Sequence, residues 1–168
     1  AKTITLATTD FNSKPTAPTG LSASEGTGKI VLNWTDTSKL ETGFVVERST
    51  TAGSGFAAIG GTDTTPLSAN TTTYNDTTAA NGTTYYYRVL AKNEFGSSAS
   101  GEASRKLEPP VPGNSGTLTL NGVTATGVTV NWTAATDNVT SQANLQYLVY
   151  YSTSNNLGSV TNCETNGT

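Results

Sequence analysis

The chain has 168 residues, 12% of them charged, with a net charge of −3, no His, no Met and one Cys. The lack of His removes imidazole acid–base chemistry, imidazole metal ligation and every Ser-His-Asp or Cys-His arrangement. Cys163 has no partner for an internal disulfide, and no apolar run reaches the roughly 18 residues of a membrane span.

All nine basic residues lie between Lys2 and Lys106, where acidic residues balance them; from Leu107 onward there is no Lys or Arg, against Glu108, Asp137 and Glu164. No basic patch is available, so neither nucleic acid nor membrane insertion is expected. Thr makes up roughly a fifth of the chain, an excess that favours strands. No segment carries the 3.6-residue apolar period of a helix. The composition predicts an all-β protein of short strands and polar turns. With no initiator Met, the chain reads as a processed product or an excised piece. Its Thr/Ser/Asn/Gly-rich, Lys-poor surface matches exported bacterial β-proteins, so a secreted or cell-surface location is expected.

Residues 1–11 read as one strand, with Ile4 and Leu6 on one side and Thr3 and Thr5 on the other. Residues 12–18 form a linker in which Pro15 and Pro18 impose an extended path. Leu21 and Ala23 begin a strand. Ile30, Leu32 and Trp34 alternate with polar or outward residues in a second, and Phe44, Val46 and Arg48 do so in a third. Phe56 and Ile59 mark a short strand, 60–71 a loop, and Tyr74 another strand. Thr83–Asn93 alternates strictly: Tyr85, Tyr87, Val89 and Ala91 point one way, and Tyr86, Arg88, Leu90 and Lys92 the other. Ser97–Ser104 reads as a single polar strand. Residues 107–116 form a second linker, stiffened by Pro109, Pro110 and Pro112.

The frame of Pro15, Pro18, Leu21, Ile30-x-Leu32-x-Trp34, Phe44-x-Val46, Tyr74, Tyr85-x-Tyr87-x-Val89-x-Ala91-x-Asn93 and Gly96 resembles a fibronectin type III domain over 15–106. The resemblance implies an immunoglobulin-like β-sandwich with a module at 19–106. Trp34 would be its core Trp. Tyr85 would be its corner Tyr, with the hydroxyl bonded to backbone upstream. Ala79 stands where the family often has Leu. The loop after Asn93 reads Glu-Phe-Gly-Ser-Ser, without the Arg-Gly-Asp that some animal members carry, so integrin binding is not implied.

After the second linker the pattern restarts: Val128, Val130 and Trp132 repeat Ile30, Leu32 and Trp34 at an offset of 98 residues. Tyr147, Val149 and Tyr151 follow as a further strand. Residues 117–168 are therefore expected to be the first half of a second such module, and 1–11 the last strand of a preceding or neighbouring one. Asn131–Thr140 resembles part of modules attached to bacterial chitinases and related polysaccharide-degrading enzymes. The expected core comprises Trp34, Tyr85, Tyr87, Val89, Trp132, Tyr147 and Val149. Ile4 and Leu6 are candidates for strand exchange with another copy.

Nothing in the sequence assembles chemistry. The Gly-containing runs lack a following Lys and helix, so no phosphate cradle is built. Asp36 and Asp137 each follow a core Trp and suit loop capping; calcium at Asp137-Asn138 lacks the Asp-x-Asp-x-Asp series. No cofactor and no catalytic residue are expected. The expected role is a non-catalytic structural or adhesive module, spacer or interaction domain, of an extracellular protein. A filament subunit joined by strand exchange and an accessory module of a secreted polysaccharide-degrading enzyme are the alternatives. Expected partners are neighbouring modules of the same or an identical chain, with a glycan or cell-surface ligand as a further candidate.

Overall fold

A computed structural model of the chain describes residues 12–154 and 158–159. Ile4 and Leu6 lie outside the described residues. The chain divides into two compact units, Ala1–Pro110 and Val111–Thr168.

The first unit is a β-sandwich. Its strands are β1 (Thr19–Gly26), β2 (Lys29–Thr35), β3 (Gly43–Ser49), β4 (Ala57–Gly60), β5 (Leu67–Ser68), β6 (Thr73–Asp76), β7 (Thr84–Asn93), β8 (Gly96–Ala99) and β9 (Ala103–Lys106). One sheet has the order β1-β2-β6 and the other β4-β3-β7-β8, with β5 added to β3 and β9 to β7. All the pairings are antiparallel. The β1–β2 hairpin turns on two residues, Thr27 and Gly28. Gly28 takes φ 62°, a conformation that costs Gly little.

The two inner faces follow from period-2 alternation. Ile30, Leu32 and Trp34 project from β2; Phe44 and Val46 from β3; Tyr85, Tyr87, Val89 and Ala91 from β7, all buried. Trp34 meets Phe44 with ring centroids 5.8 Å apart in a tilted arrangement. Leu107, just past β9, closes the same core and is 3% exposed. At the rim Tyr74 packs on Gly60, where a Cβ would lie 2.5 Å from its ring, and its hydroxyl donates to the Ile59 carbonyl. Any side chain at position 60 would displace that ring.

Two local expectations are corrected. The single strand over 97–104 is broken into β8 and β9, because Ser100 turns inward: its Oγ accepts the Val89 N–H at 3.0 Å, and its own N–H donates to the Val89 carbonyl at 2.8 Å. The loop over 60–71 contains β5, which pairs with the start of β3.

The second unit forms one two-stranded ladder, β10 (Leu118–Asn121) with β11 (Thr129–Trp132). Leu118 opposes Trp132 and Leu120 opposes Val130, so the four share one face. The strand expected through Tyr147, Val149 and Tyr151 is not formed, and the core expected there is open. Trp132, Tyr147 and Val149 are 43%, 41% and 59% exposed. The physical reason is the lack of an opposing layer among the described residues; an apolar strand without a covered face gains too little from burial to hold a ladder.

Trp34→Ala empties the centre of the first sandwich. It should cost about 3–5 kcal/mol, as truncation of large core aromatics does. Chemical denaturation of the full chain, followed at the first unit's transition, checks this; a loss well below that range would remove Trp34 from the core.

Candidate functional site

Two places in the molecule concentrate polar chemistry or open apolar surface. The first is a buried polar cluster at one rim of the sandwich. Phe44, Val46 and Arg48 share the inner face of β3, so alternation carries Arg48 inward as the strand reaches the rim. A guanidinium there requires an anion. Asp76, the last residue of β6, provides it: Arg48 Nη1 donates to Asp76 Oδ2 at 2.7 Å, and the Asp76 side chain is 1% exposed. The Tyr87 hydroxyl donates to the same oxygen at 2.9 Å. Thr78 donates to Oδ1 from its backbone N–H at 2.9 Å and from its hydroxyl at 2.8 Å. The Arg48 guanidinium also lies 4.3 Å above the Tyr85 ring. Since β6 belongs to one sheet and β3 and β7 to the other, the cluster fastens the sheets together.

Burial pushes the Asp76 carboxyl up, but the hydrogen bonds from Arg48, Thr78 and Tyr87 outweigh it and hold the group below the ordinary carboxylate range. Burial, then the hydrogen bond to Asp76, pushes the Tyr87 phenol well above its ordinary value. Both oxygens of Asp76 are thus engaged by neighbouring donors within the sandwich. The cluster fastens β6 to β3 and β7 across the two sheets.

The corner Tyr is present in the expected form. The Tyr85 hydroxyl accepts the Ala80 N–H at 3.3 Å, and Ala79 packs partly buried against the core. On the outer face of β7 two cations are engaged by carboxylates. Arg88 pairs with Glu47 at 2.5 Å and lies over the Phe56 ring at 4.4 Å, and Lys92 pairs with Asp63 at 3.2 Å. Asp36 accepts the Ser38 N–H at 3.0 Å. Asp137 accepts the N–H groups of Val139 at 2.8 Å and Thr140 at 2.6 Å, which hold its carboxyl below the ordinary range. Both aspartates cap loops. Among the described residues no group of His, Cys, Asp and Glu is arranged to hold a metal ion, and no helix is long and apolar enough to cross a membrane.

The second place is an open apolar cleft of about 540 Å³ within the second unit, lined among others by Leu118, Val130, Trp132, Tyr147, Val149 and Tyr150. Trp132 and Tyr147 meet with centroids 5.6 Å apart, and the Tyr147 hydroxyl accepts the Ala135 N–H at 2.8 Å. The cleft gathers Trp132, Tyr147 and Val149 as the repeat pattern brought them together, but it leaves them on the surface.

The fold and these sites define an immunoglobulin-like β-sandwich whose buried polar groups serve its own assembly. An Fn3-like protein from Clostridium thermocellum is 34% identical over 58% of this chain and 100% of its own length, with a TM-score of 0.46. The chain belongs to the fibronectin type III-like family, a membership carried by that identity over the whole of the relative. It is also similar to a group of titin domains, 24% identical over 57% of this chain and 33% of that one, TM-score 0.47. A pectate lyase from Pectobacterium carotovorum is 22% identical over 56% of this chain and 28% of the enzyme, TM-score 0.47. This chain thus spans a third or less of the titin and lyase chains. No protein-family model and no curated protein matches it.

Asp76→Asn keeps the shape of the cluster and removes its charge, leaving Arg48 without its counter-ion. It should cost about 3 kcal/mol at pH 7, the low end for breaking a buried pair. The carboxyl is held below its usual 3.8, so its stabilisation is complete above that value and is lost as pH falls through the lowered one. Thermal melts at pH 7 and in strong acid should therefore show the gap between wild type and variant closing in acid. A gap that stays constant would mean that Asp76 is not charged in the folded state.

Proposed function

We propose that the chain is a non-catalytic structural module of an extracellular or cell-surface protein, acting as a spacer or interaction domain. The observation that carries this reading is the use made of the charged side chains. In the first unit Arg48, Arg88, Lys92 and Arg105 each pair with a carboxylate of the same unit. Charge that an enzyme would aim at a substrate is here spent between strands and loops. Pro109, Pro110 and Pro112 then supply a connection with little freedom, as a spacer requires. The partners of such a module are neighbouring modules of the same or an identical chain, and a bacterial, exported setting suits the composition. Light scattering on the full chain, with electron microscopy of the same sample, tests it. The expected particle is a monomer; ordered polymers would overturn the spacer reading.

A second reading, a filament subunit joined by strand exchange, is favoured by the open face of β10–β11. Leu118 and Leu120 are 61% and 60% exposed beside Trp132. In the first unit the strand matching β11, β2, is flanked on both sides, by β1 and β6; β11 has one ladder partner among the described residues. A strand carrying Ile4 and Leu6 from another copy has the alternation to fill that edge. This reading predicts polymers that disappear on deletion of residues 1–9. Leu6→Asp should weaken them by placing a charge against the apolar face. Polymers that persist in both variants would remove the exchange mechanism.

A further inference from the structure

We infer that Glu25 is a latch that fixes the direction in which the chain leaves the first unit. The inference takes its purpose, though not its geometry, from the spacer reading. Leu21, Ala23 and Glu25 share the inward side of β1, so Glu25 reaches the sandwich edge pointing in; its side chain is 1% exposed. One oxygen, Oε2, accepts from Arg105 Nη2 at 2.9 Å. The other, Oε1, accepts the backbone N–H of Glu108 at 2.6 Å. One buried carboxylate thus holds both β9 and the residue that follows the closing core residue Leu107. β1 and β9 belong to different sheets, so the latch also spans the sandwich.

The choice of Glu108 is explained by what comes next. Pro109 and Pro110 have no N–H. Glu108 is therefore the last backbone donor by which the outgoing chain can be held before the two prolines. Its own conformation and that of Pro109 are restricted to extended forms, because each precedes a proline. A chain pinned at Glu108 and stiff through Pro110 leaves along one direction. A chain free at Glu108 would swing from Leu107, whose carbonyl is held by the Gly82 N–H at 2.7 Å. The latch thus moves the last fixed point from the core residue to the base of the linker.

The incoming side is treated in the same way. Asn93, 9% exposed, donates from Nδ2 to the Ser13 carbonyl at 2.8 Å, and the Thr37 hydroxyl donates to the Ala17 carbonyl at 2.8 Å. Pro15 between them is fully buried. Both linker-facing segments are therefore tied to the sandwich by side chains, outside the strand ladders.

Amide hydrogen exchange on the full chain tests the latch. In Glu25→Ala the Glu108 amide should exchange at least about tenfold faster, with the Leu32 and Val46 amides unchanged. Glu25→Gln keeps an acceptor for Glu108 but loses the charge on Arg105. It should give an intermediate rate at Glu108, and it decides the question alone if the Ala variant does not fold. Wild-type exchange at Glu108 in the folded variants would overturn the proposal. So would an equal acceleration at Leu32 and Val46, which would make Glu25 an ordinary contributor to the whole fold. The spacer reading is decided separately by the particle mass, so either can fail while the other stands.

Discussion

The first unit depends on one constraint: the inner faces of β2 and β7 must cover each other. β7 supplies four inward residues in a row, Tyr85, Tyr87, Val89 and Ala91, and β2 supplies Ile30, Leu32 and Trp34 from the opposite sheet. Each face alone is an apolar stripe in water, and together they exclude it. Once they close, the neighbouring strands gain a register, because a one-residue slip would turn every inward side chain outward. The second unit shows the same kind of stripe without its cover. Leu118, Leu120, Val130 and Trp132 align on one face as the period requires, but the ladder stops at two strands. The pattern in the sequence is of the same quality in both units; the difference lies in what it packs against.

Charged groups mark the ends of the covered region. Arg48, Glu25 and Arg105 each occupy an inward register at the end of a strand, where the core gives way to the rim. Such positions are costly unless the charge is paired and hydrogen-bonded. Asp76 meets Arg48, and Glu25 meets Arg105, each pair joining strands from different sheets. A buried pair adds little net stability over an apolar pair of the same volume. Its effect here is on alignment: an Arg48 shifted by one residue would leave Asp76 charged and alone, so the pair penalises a slip of β3 against β7 or of β6 against β2.

The sequence made the architecture legible wherever alternation was long and turns were marked. β2, β3 and β7 could be read directly, and the family frame follows from their Trp, Phe and Tyr positions. β5 escaped because two residues carry no period. The break between β8 and β9 escaped because a polar strand gives no inward signal; only the Ser100 contacts with Val89 explain it. Asp76 escaped as well, although half of its signal was visible. Arg48 on the same face as Phe44 and Val46 demanded a buried anion, but the sequence offered several carboxylates, and topology alone brings β6 beside that rim. In the second unit the reading of Trp132, Tyr147 and Val149 as core was right about periodicity and wrong about burial. Periodicity reports which residues share a face, and burial also needs a second face.

What a module does for its neighbours depends on how its ends are held, which strand pairing alone does not decide. A ladder ends at its last paired residue, and beyond it the chain is free to pivot. Here the segments on either side of the sandwich are held by side chains reaching out from the fold: Asn93 and Thr37 at one end, Glu25 at the other. Holding the Glu108 N–H extends the anchorage of the outgoing chain to the residue before the first proline. In this chain Arg48, Asp76, Glu25 and Asn93 face inward or along the backbone, each bonded to another part of the same unit.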